Sequence, residues 1–181
     1  LSRGYKRESK GFVLALTNAT AKVLGDEPFQ FFEKFKNIQV AVDADRKNGI
    51  EHLLAQKDKP DVILLDDAFQ HRKVKAGFYI LLTSYGELFS DDFMLPAGNL
   101  RESRSGAKRA NVVIVTKCPS SLSLENRNDI RKTLKLSNNQ DLYFTFIEYD
   151  DFVFGGNQQI DVSQIQENPK TLVAGIAKPQ P

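Results

Sequence analysis

Residues 62–67 read Val-Ile-Leu-Leu-Asp-Asp, an apolar run that ends in two carboxylates. An extended run apolar on both faces has no solvent side, so it belongs inside a parallel sheet covered by helices. Such a strand delivers its last residues to the carboxyl edge of the sheet, where open α/β folds bind ligands. Other segments fit the same architecture. Residues 12–16 are a short apolar run before the polar stretch 17–20, and 38–44, 78–84, 112–116, 142–149 and 172–176 read as strands. Residues 46–56 predict a helix with Ile50, Leu53 and Leu54 inward, stopped by Pro60. Residues 125–136 predict another, with Ile130 and Leu134 as its apolar pair. From Pro28 to Lys36, Phe29, Phe31, Phe32 and Phe35 stand at near-helical spacing and predict a helix packed into a core. Strands alternating with helices indicate an α/β fold with a largely parallel sheet and flanking helices. Gly155-Gly156-Asn157 within 151–160 predicts a hairpin turn, hence a small antiparallel appendage. The expected division is an α/β domain over 1–148, with the appendage and a return strand over 149–181.

Composition removes several function classes. Lys and Arg number 25 against 23 Asp and Glu, a net charge of +2, which gives no case for nucleic-acid binding. One cysteine, Cys118, excludes an internal disulfide framework and a Cys-rich zinc site. Two histidines, His52 and His71, exclude a His-cluster metal site, so a divalent ion would be held by carboxylates, which suits magnesium. No apolar run approaches the ~18 residues that span a bilayer, and a reduced, cytoplasmic setting is expected. The chain begins at Leu1 inside what reads as a strand end and stops after another apolar run, so a piece of a longer protein is expected.

Four clusters carry candidate chemistry. The first is the apolar run ending in Asp66-Asp67, a Walker-B form able to hold Mg²⁺ beside a nucleotide phosphate. Its continuation Ala68-Phe69-Gln70-His71-Arg72 adds an imidazole and a guanidinium; a strand-end Asp capping the next segment is the plainer alternative. The second is Gly25-Asp26-Glu27-Pro28, either a helix start with Asp26 as cap or a base and a metal ligand. The third is Leu95-Pro96-Ala97-Gly98-Asn99-Leu100-Arg101-Glu102, a fixed loop before Arg104, Lys108 and Arg109; either the basic run is a solvated helix face or Arg101 clamps a phosphate. The fourth is Arg3, Lys6, Arg7 and Lys10, net +3 over residues 1–10 once Glu8 is subtracted: a phosphate or membrane-surface patch, or a solvated loop. No G-x-x-x-x-G-K-[ST] occurs, so nothing obvious cradles the β- and γ-phosphates of a nucleotide. Thr116-Lys117-Cys118-Pro119 has Pro where a guanine-reading loop needs an acid, which rejects a GTPase.

Three of these clusters, with Leu1-Ser2-Arg3-Gly4-Tyr5 before them and Ala174-Gly175-Ile176-Ala177-Lys178-Pro179 after them, occur in the order found in one family. The chain resembles the middle of a tetraacyldisaccharide 4'-kinase, the lipid A 4'-kinase family of the Gram-negative envelope. The resemblance spans nearly the whole chain, and Asp66-Asp67-Ala68-Phe69-Gln70-His71-Arg72 is its most distinctive part. It implies a P-loop-kinase-like fold and transfer of the ATP γ-phosphate to the 4'-hydroxyl of a tetraacyldisaccharide 1-phosphate. It further implies Mg²⁺, a lipid A precursor as acceptor, and a membrane surface at the cytoplasmic side of the inner membrane. Residue by residue, it makes Asp26 the base, Glu27 and Asp66 the metal carboxylates, and Arg101 and Glu102 acceptor-site residues. Asp67 and His71 join the catalytic candidates and Arg72 the substrate-binding ones. Lys6 and Ala68 stand where the family often has Gly, and Ser103 where it often has Pro, which leaves local loop shape open. The family's Walker-A loop is expected before Leu1 and a further catalytic segment beyond Pro181, so the isolated chain is expected to be inactive. The alternative of another class is a non-catalytic α/β nucleotide-binding or interaction module, for which Asp26, Glu27, Asp66 and Asp67 together would have no use.

Overall fold

The structure is a computed structural model that describes residues 1–155 and 158–166. The chain divides into two compact units, Leu1–Tyr79 and Ile80–Pro181. It is an α/β protein, consistent with a P-loop-like kinase fold.

In the first unit, β1 (Val13–Leu14) pairs antiparallel with β2 (Ala41–Val42). Ser2 bridges the other edge of β2 in parallel, its N–H donating to the Ala41 carbonyl and its carbonyl accepting from Asp43, both at 3.0 Å. Successive residues of an extended chain address opposite neighbours, so Leu1 faces the other way. Its nitrogen donates to the Leu64 carbonyl at 2.7 Å, and its carbonyl accepts from Asp66 N–H at 3.0 Å. Helices α1 (Ala21–Leu24), α2 (Asp26–Lys34) and α3 (Arg46–Leu54) complete the unit, with Leu24, Val40, Ala41, Val42 and Leu53 buried.

Three expectations change here. Residues 62–65 form no buried strand: Leu1 supplies one parallel rung, and Val62 and Leu64 stay 74% and 77% exposed. Ile63 and Leu65 are half-buried, so one face of the run is covered and the other is not. In α2 the fully buried side chain is Pro28, while Phe31 and Phe35 are exposed; the helix lies on the surface, and Lys36 rather than a core packs over Phe32. In α3 Leu53 is buried and Ile50 half-buried, but Leu54 is exposed, and the helix ends before Pro60 is reached.

The second unit holds a parallel sheet in the order β3-β4-β5, from β3 (Ile80–Ser84), β4 (Val112–Thr116) and β5 (Asp141–Phe144). Val113 and Val115 of the central strand are fully buried, as the V-V-I-V pattern requires. The predicted strand 142–149 stops at Phe144, where Thr145 N–H still reaches the Val115 carbonyl at 2.9 Å and residues 146–150 are exposed. Helix α4 (Leu124–Leu134) starts at Ser123, whose side chain accepts from Asn126 N–H, and buries Leu134. Strands β6 (Phe152–Gly155) and β7 (Gln158–Asp161) form the expected antiparallel pair, followed by α5 (Val162–Gln166). The turn residues Gly156 and Asn157, the strand 172–176 and the motif 174–179 lie outside the described residues.

Candidate functional site

The rungs through Leu1 and Ser2 bring two strand ends to one edge of the first unit. One carries Asp43 and the other Asp66 and Asp67. Asp43 is buried and committed: Oδ1 accepts from Asp45 N–H at 2.9 Å and Oδ2 from the Asn48 amide at 2.6 Å. Asp66 differs, because its half-buried carboxylate accepts no hydrogen bond among the described residues. Asp67 is exposed and turns into the left-handed region, φ +44°. The pair therefore forms a turn rather than the end of a flat strand, so strict alternation of their side chains does not hold.

A second pair of carboxylates stands on a glycine contact. Gly25 has φ +91°, and a Cβ there would lie 3.1 Å from the Tyr5 carbonyl oxygen and 3.3 Å from Gly4 Cα. Gly4 has φ +68°, and a Cβ there would lie 2.7 Å from the Leu24 carbonyl oxygen. Backbone meets backbone because neither residue has a side chain. The N-cap of α2 is Gly25, not Asp26, and no side chain closes the cap. Asp26 and Glu27 sit in the first helical turn, exposed and without hydrogen-bond partners among the described residues. The helix dipole favours negative charge at that place. Beside them Arg3, Lys6, Arg7 and Lys10 line an open cavity of about 400 Å³. Arg7 is occupied within the loop, donating to the Gly11 carbonyl at 2.6 Å and to Ser9 Oγ at 3.1 Å.

His71 lies in the turn after the Asp pair, its N–H donating to the Ala68 carbonyl at 2.8 Å. Its Nε2 is buried and has no hydrogen-bond partner among the described residues. Arg72 is exposed. His52, expected to be structural, stacks on Phe12 with ring centroids 4.8 Å apart.

In the second unit the 95–102 loop is tied down. Asp92 Oδ1 accepts from Phe93 N–H at 2.7 Å and Asn99 N–H at 3.2 Å, and these bonds hold its carboxyl below the usual carboxylate range. Arg104 donates twice to the Asp92 carbonyl, at 2.9 and 2.6 Å, and lies over the Phe93 ring. Arg109 holds both oxygens of Glu102, at 2.8 and 3.0 Å. The basic run is therefore not a solvated helix face; a 3-10 helix (Arg104–Arg109) turns two of its arginines back onto the loop. Arg101 is exposed, and Glu102 is half-buried against Arg109.

Sequence reasoning passed over Arg46. It is 4% exposed at the start of α3, with Asp43, Asp66 and Asp67 in electrostatic reach. Burial pulls its guanidinium below the ordinary arginine value, Arg3 adds to the fall, and the three carboxylates oppose it. The available signal was a second strand-then-carboxylate run, Val40-Ala41-Val42-Asp43, with an arginine three positions on.

Among the described residues, no three His, Cys, Asp or Glu side chains gather into a metal cage. Mg²⁺ does not require one, since it is held by one or two carboxylates plus substrate phosphates and water. Carboxylates that accept no hydrogen bond among the described residues, as at Asp66 and Glu27, fit that mode. Among the described residues no helix is long and apolar enough to cross a membrane.

The family model described as Tetraacyldisaccharide-1-P 4'-kinase matches residues 1–181. The chain is 64% identical over 181 residues to a tetraacyldisaccharide 4'-kinase of Flavobacterium johnsoniae, covering 100% of this chain and 53% of that protein. It is 62% identical over 182 residues to the protein of that name in Flavobacterium psychrophilum, covering 99% and 53%. For the Bacteroides fragilis protein of that name the identity is 52% over 186 residues, covering 99% and 50%. The chain thus spans about half the length of the curated relatives it matches. No solved structure matches.

Proposed function

The chain belongs to the tetraacyldisaccharide-1-phosphate 4'-kinase family, and on that premise we propose that it carries the base, the metal carboxylates and part of the acceptor site of a lipid A 4'-kinase. The observation that supports this best is the state of three carboxylates. Asp26, Glu27 and Asp66 have no hydrogen-bond partner among the described residues, whereas Asp43 is fully engaged. Buried polar groups are normally bonded within the protein, so the half-buried Asp66 carboxylate without a hydrogen-bond partner is the informative one, while Asp26 and Glu27 stand open to solvent in the first turn of α2. Asp26 accepts the proton of the acceptor hydroxyl as that oxygen bonds to the γ-phosphorus of ATP. The bond from phosphorus to the bridging oxygen breaks and ADP leaves. Asp66 and Glu27 would hold Mg²⁺, which supplies charge neutralisation on the phosphates. Asp67 and His71 complete the catalytic group, His71 carrying a buried Nε2 with no hydrogen-bond partner among the described residues.

Arg101, Glu102 and Arg72 serve the acceptor, a tetraacyldisaccharide 1-phosphate, at the cytoplasmic face of the inner membrane. Residues 149–181 act as an appendage to the kinase domain. Without a phosphate-cradling loop in its sequence, this chain alone binds ATP weakly and does not turn over. In the intact enzyme Asp26→Ala should lower kcat by roughly 10²–10⁴-fold. Because Gly25 and not Asp26 caps α2, the melting temperature should hardly move. Retention of kcat within about threefold, well under that range, would remove Asp26 as the base.

A further inference from the structure

The unexplained feature of the first unit is a buried cation, Arg46, with no salt bridge among the described residues. Arg46 Nη1 donates to the backbone carbonyl of Asp43 at 2.8 Å and to that of Ala44 at 3.5 Å. Its Nη2 reaches the Asp66 carbonyl at 3.5 Å, and its Nε is buried with no acceptor. Burying a guanidinium whose hydrogen bonds go to carbonyls is costly, even with Asp43, Asp66 and Asp67 in electrostatic reach. Nothing in α3 requires it, since the Asp45 side chain already caps that helix by accepting from Lys47 and Asn48 N–H. The carbonyls it does reach belong to two turns, one after β2 and one after residues 62–65. The single rungs of Ser2 and Leu1 also link these turns. The fork therefore ties the Asp66 turn to the Asp43 turn across the carboxyl edge.

We propose that Arg46 is a positioning residue for Asp66: its fork holds the Asp66 main chain so that the open carboxylate meets the Mg²⁺-bound phosphates without rearrangement. This rests on Asp66 being the metal carboxylate. The role needs a planar fork that reaches two carbonyls at once, which a lysine ammonium does not provide.

The test is a double-mutant cycle in the intact enzyme with Arg46→Lys, Asp66→Asn and the pair. Three quantities are read: the Mg²⁺ concentration for half-maximal rate, the Mn²⁺ affinity of the enzyme by electron paramagnetic resonance, and the melting temperature. Partners that orient a metal ligand change metal affinity by about 10–100-fold. Arg46→Lys should weaken both metal readouts on that scale, and the pair should be no worse than Asp66→Asn alone. Arg46→Gln should act in the same direction, and it replaces Arg46→Lys if that variant does not accumulate folded. A lower melting temperature with unchanged metal readouts would make Arg46 a mere structural residue. Additive effects in the pair would likewise overturn the proposal. Should Asp66→Asn itself leave Mg²⁺ and Mn²⁺ behaviour unchanged, the metal assignment falls first and the role of Arg46 with it.

Discussion

Gly4 and Gly11 form a natural controlled pair. Their φ angles are +68° and +67°, so an alanine at either suffers the same left-handed strain. That strain is about 1–2 kcal/mol. Their surroundings differ. Around Gly11 nothing lies within 4 Å of an added Cβ; at Gly4 the Cβ would lie 2.7 Å from the Leu24 carbonyl oxygen and 2.5 Å from Arg7 Cδ. The arginine side chain can swing away. The Leu24 carbonyl cannot, because Leu24 is fully buried and Gly25 N–H is bonded one turn back at 2.7 Å. Overpacking against such a wall costs about 1–3 kcal/mol. Gly11→Ala should therefore cost about 1–2 kcal/mol and Gly4→Ala about 2–5 kcal/mol. Native-state hydrogen exchange reads the difference locally, at the amides of Arg7 and Gly25. Their protection should fall roughly 5- to 150-fold further in Gly4→Ala than in Gly11→Ala, at 1.4 kcal/mol per tenfold. Equal losses in the two variants would show that the Gly4–Leu24 approach does not hold the 25–28 turn, and with it Asp26, in place.

Three further outcomes are expected. Arg101→Ala in the intact enzyme should lower kcat/KM for the lipid acceptor about ten- to a hundredfold with the KM for ATP unchanged; Arg101→Lys should rescue only part, and a raised ATP KM would move Arg101 to the nucleotide side. Gln140 is buried and donates to the Ala107 and Ala110 carbonyls at 2.9 and 2.8 Å, so Gln140→Ala should cost roughly 1–3 kcal/mol in urea unfolding; a change under about 0.5 kcal/mol, the scale of a neutral surface substitution, would refute that tie. Burial pushes the Cys118 thiol up, so it stays protonated beyond the usual thiol range and should resist iodoacetamide in native protein near neutral pH. Alkylation at the rate of a free thiol would contradict its burial.

What could be read in the sequence was whatever neighbouring residues decide between themselves. The 112–116 strand appears with its predicted bounds, and the 151–160 hairpin and the helix near 125–136 lie within a few residues of expectation, because each carries its own period and turn chemistry. The four-residue apolar run before Asp66 misled, since burial depends on which distant segment pairs with it, and only Leu1 does so here. The Phe-rich segment does form a helix, with Phe29 and Phe32 half-buried, but its packing into a core was not legible for the same reason: spacing shows which residues share a face, not what covers that face. At the site, the carboxylates were legible as motifs, but their states were not. That Asp43 is bonded and Asp66 open depends on which donors the fold brings near; Glu102 meets Arg109 across 7 positions, and Arg46 reaches Asp66 across 20.

The place of Leu1 and Ser2 between β2 and residues 64–66 sets an order of assembly. Ser2 must find Val42, and Leu1 the segment around Leu65, before the edge bearing Asp43 and Asp66 exists at all. These are high-contact-order rungs, slow to form beside the local turns of α1, α2 and α3. The entropy of closing the longer loop exceeds that of the shorter by less than about 0.6 kcal/mol, the increment for a doubling of length. During folding Leu1 stays without this partner until the segment around Leu65 reaches it. The apolar faces of Val62 and Leu64 remain exposed even after that rung forms, and so stay open to wrong partners.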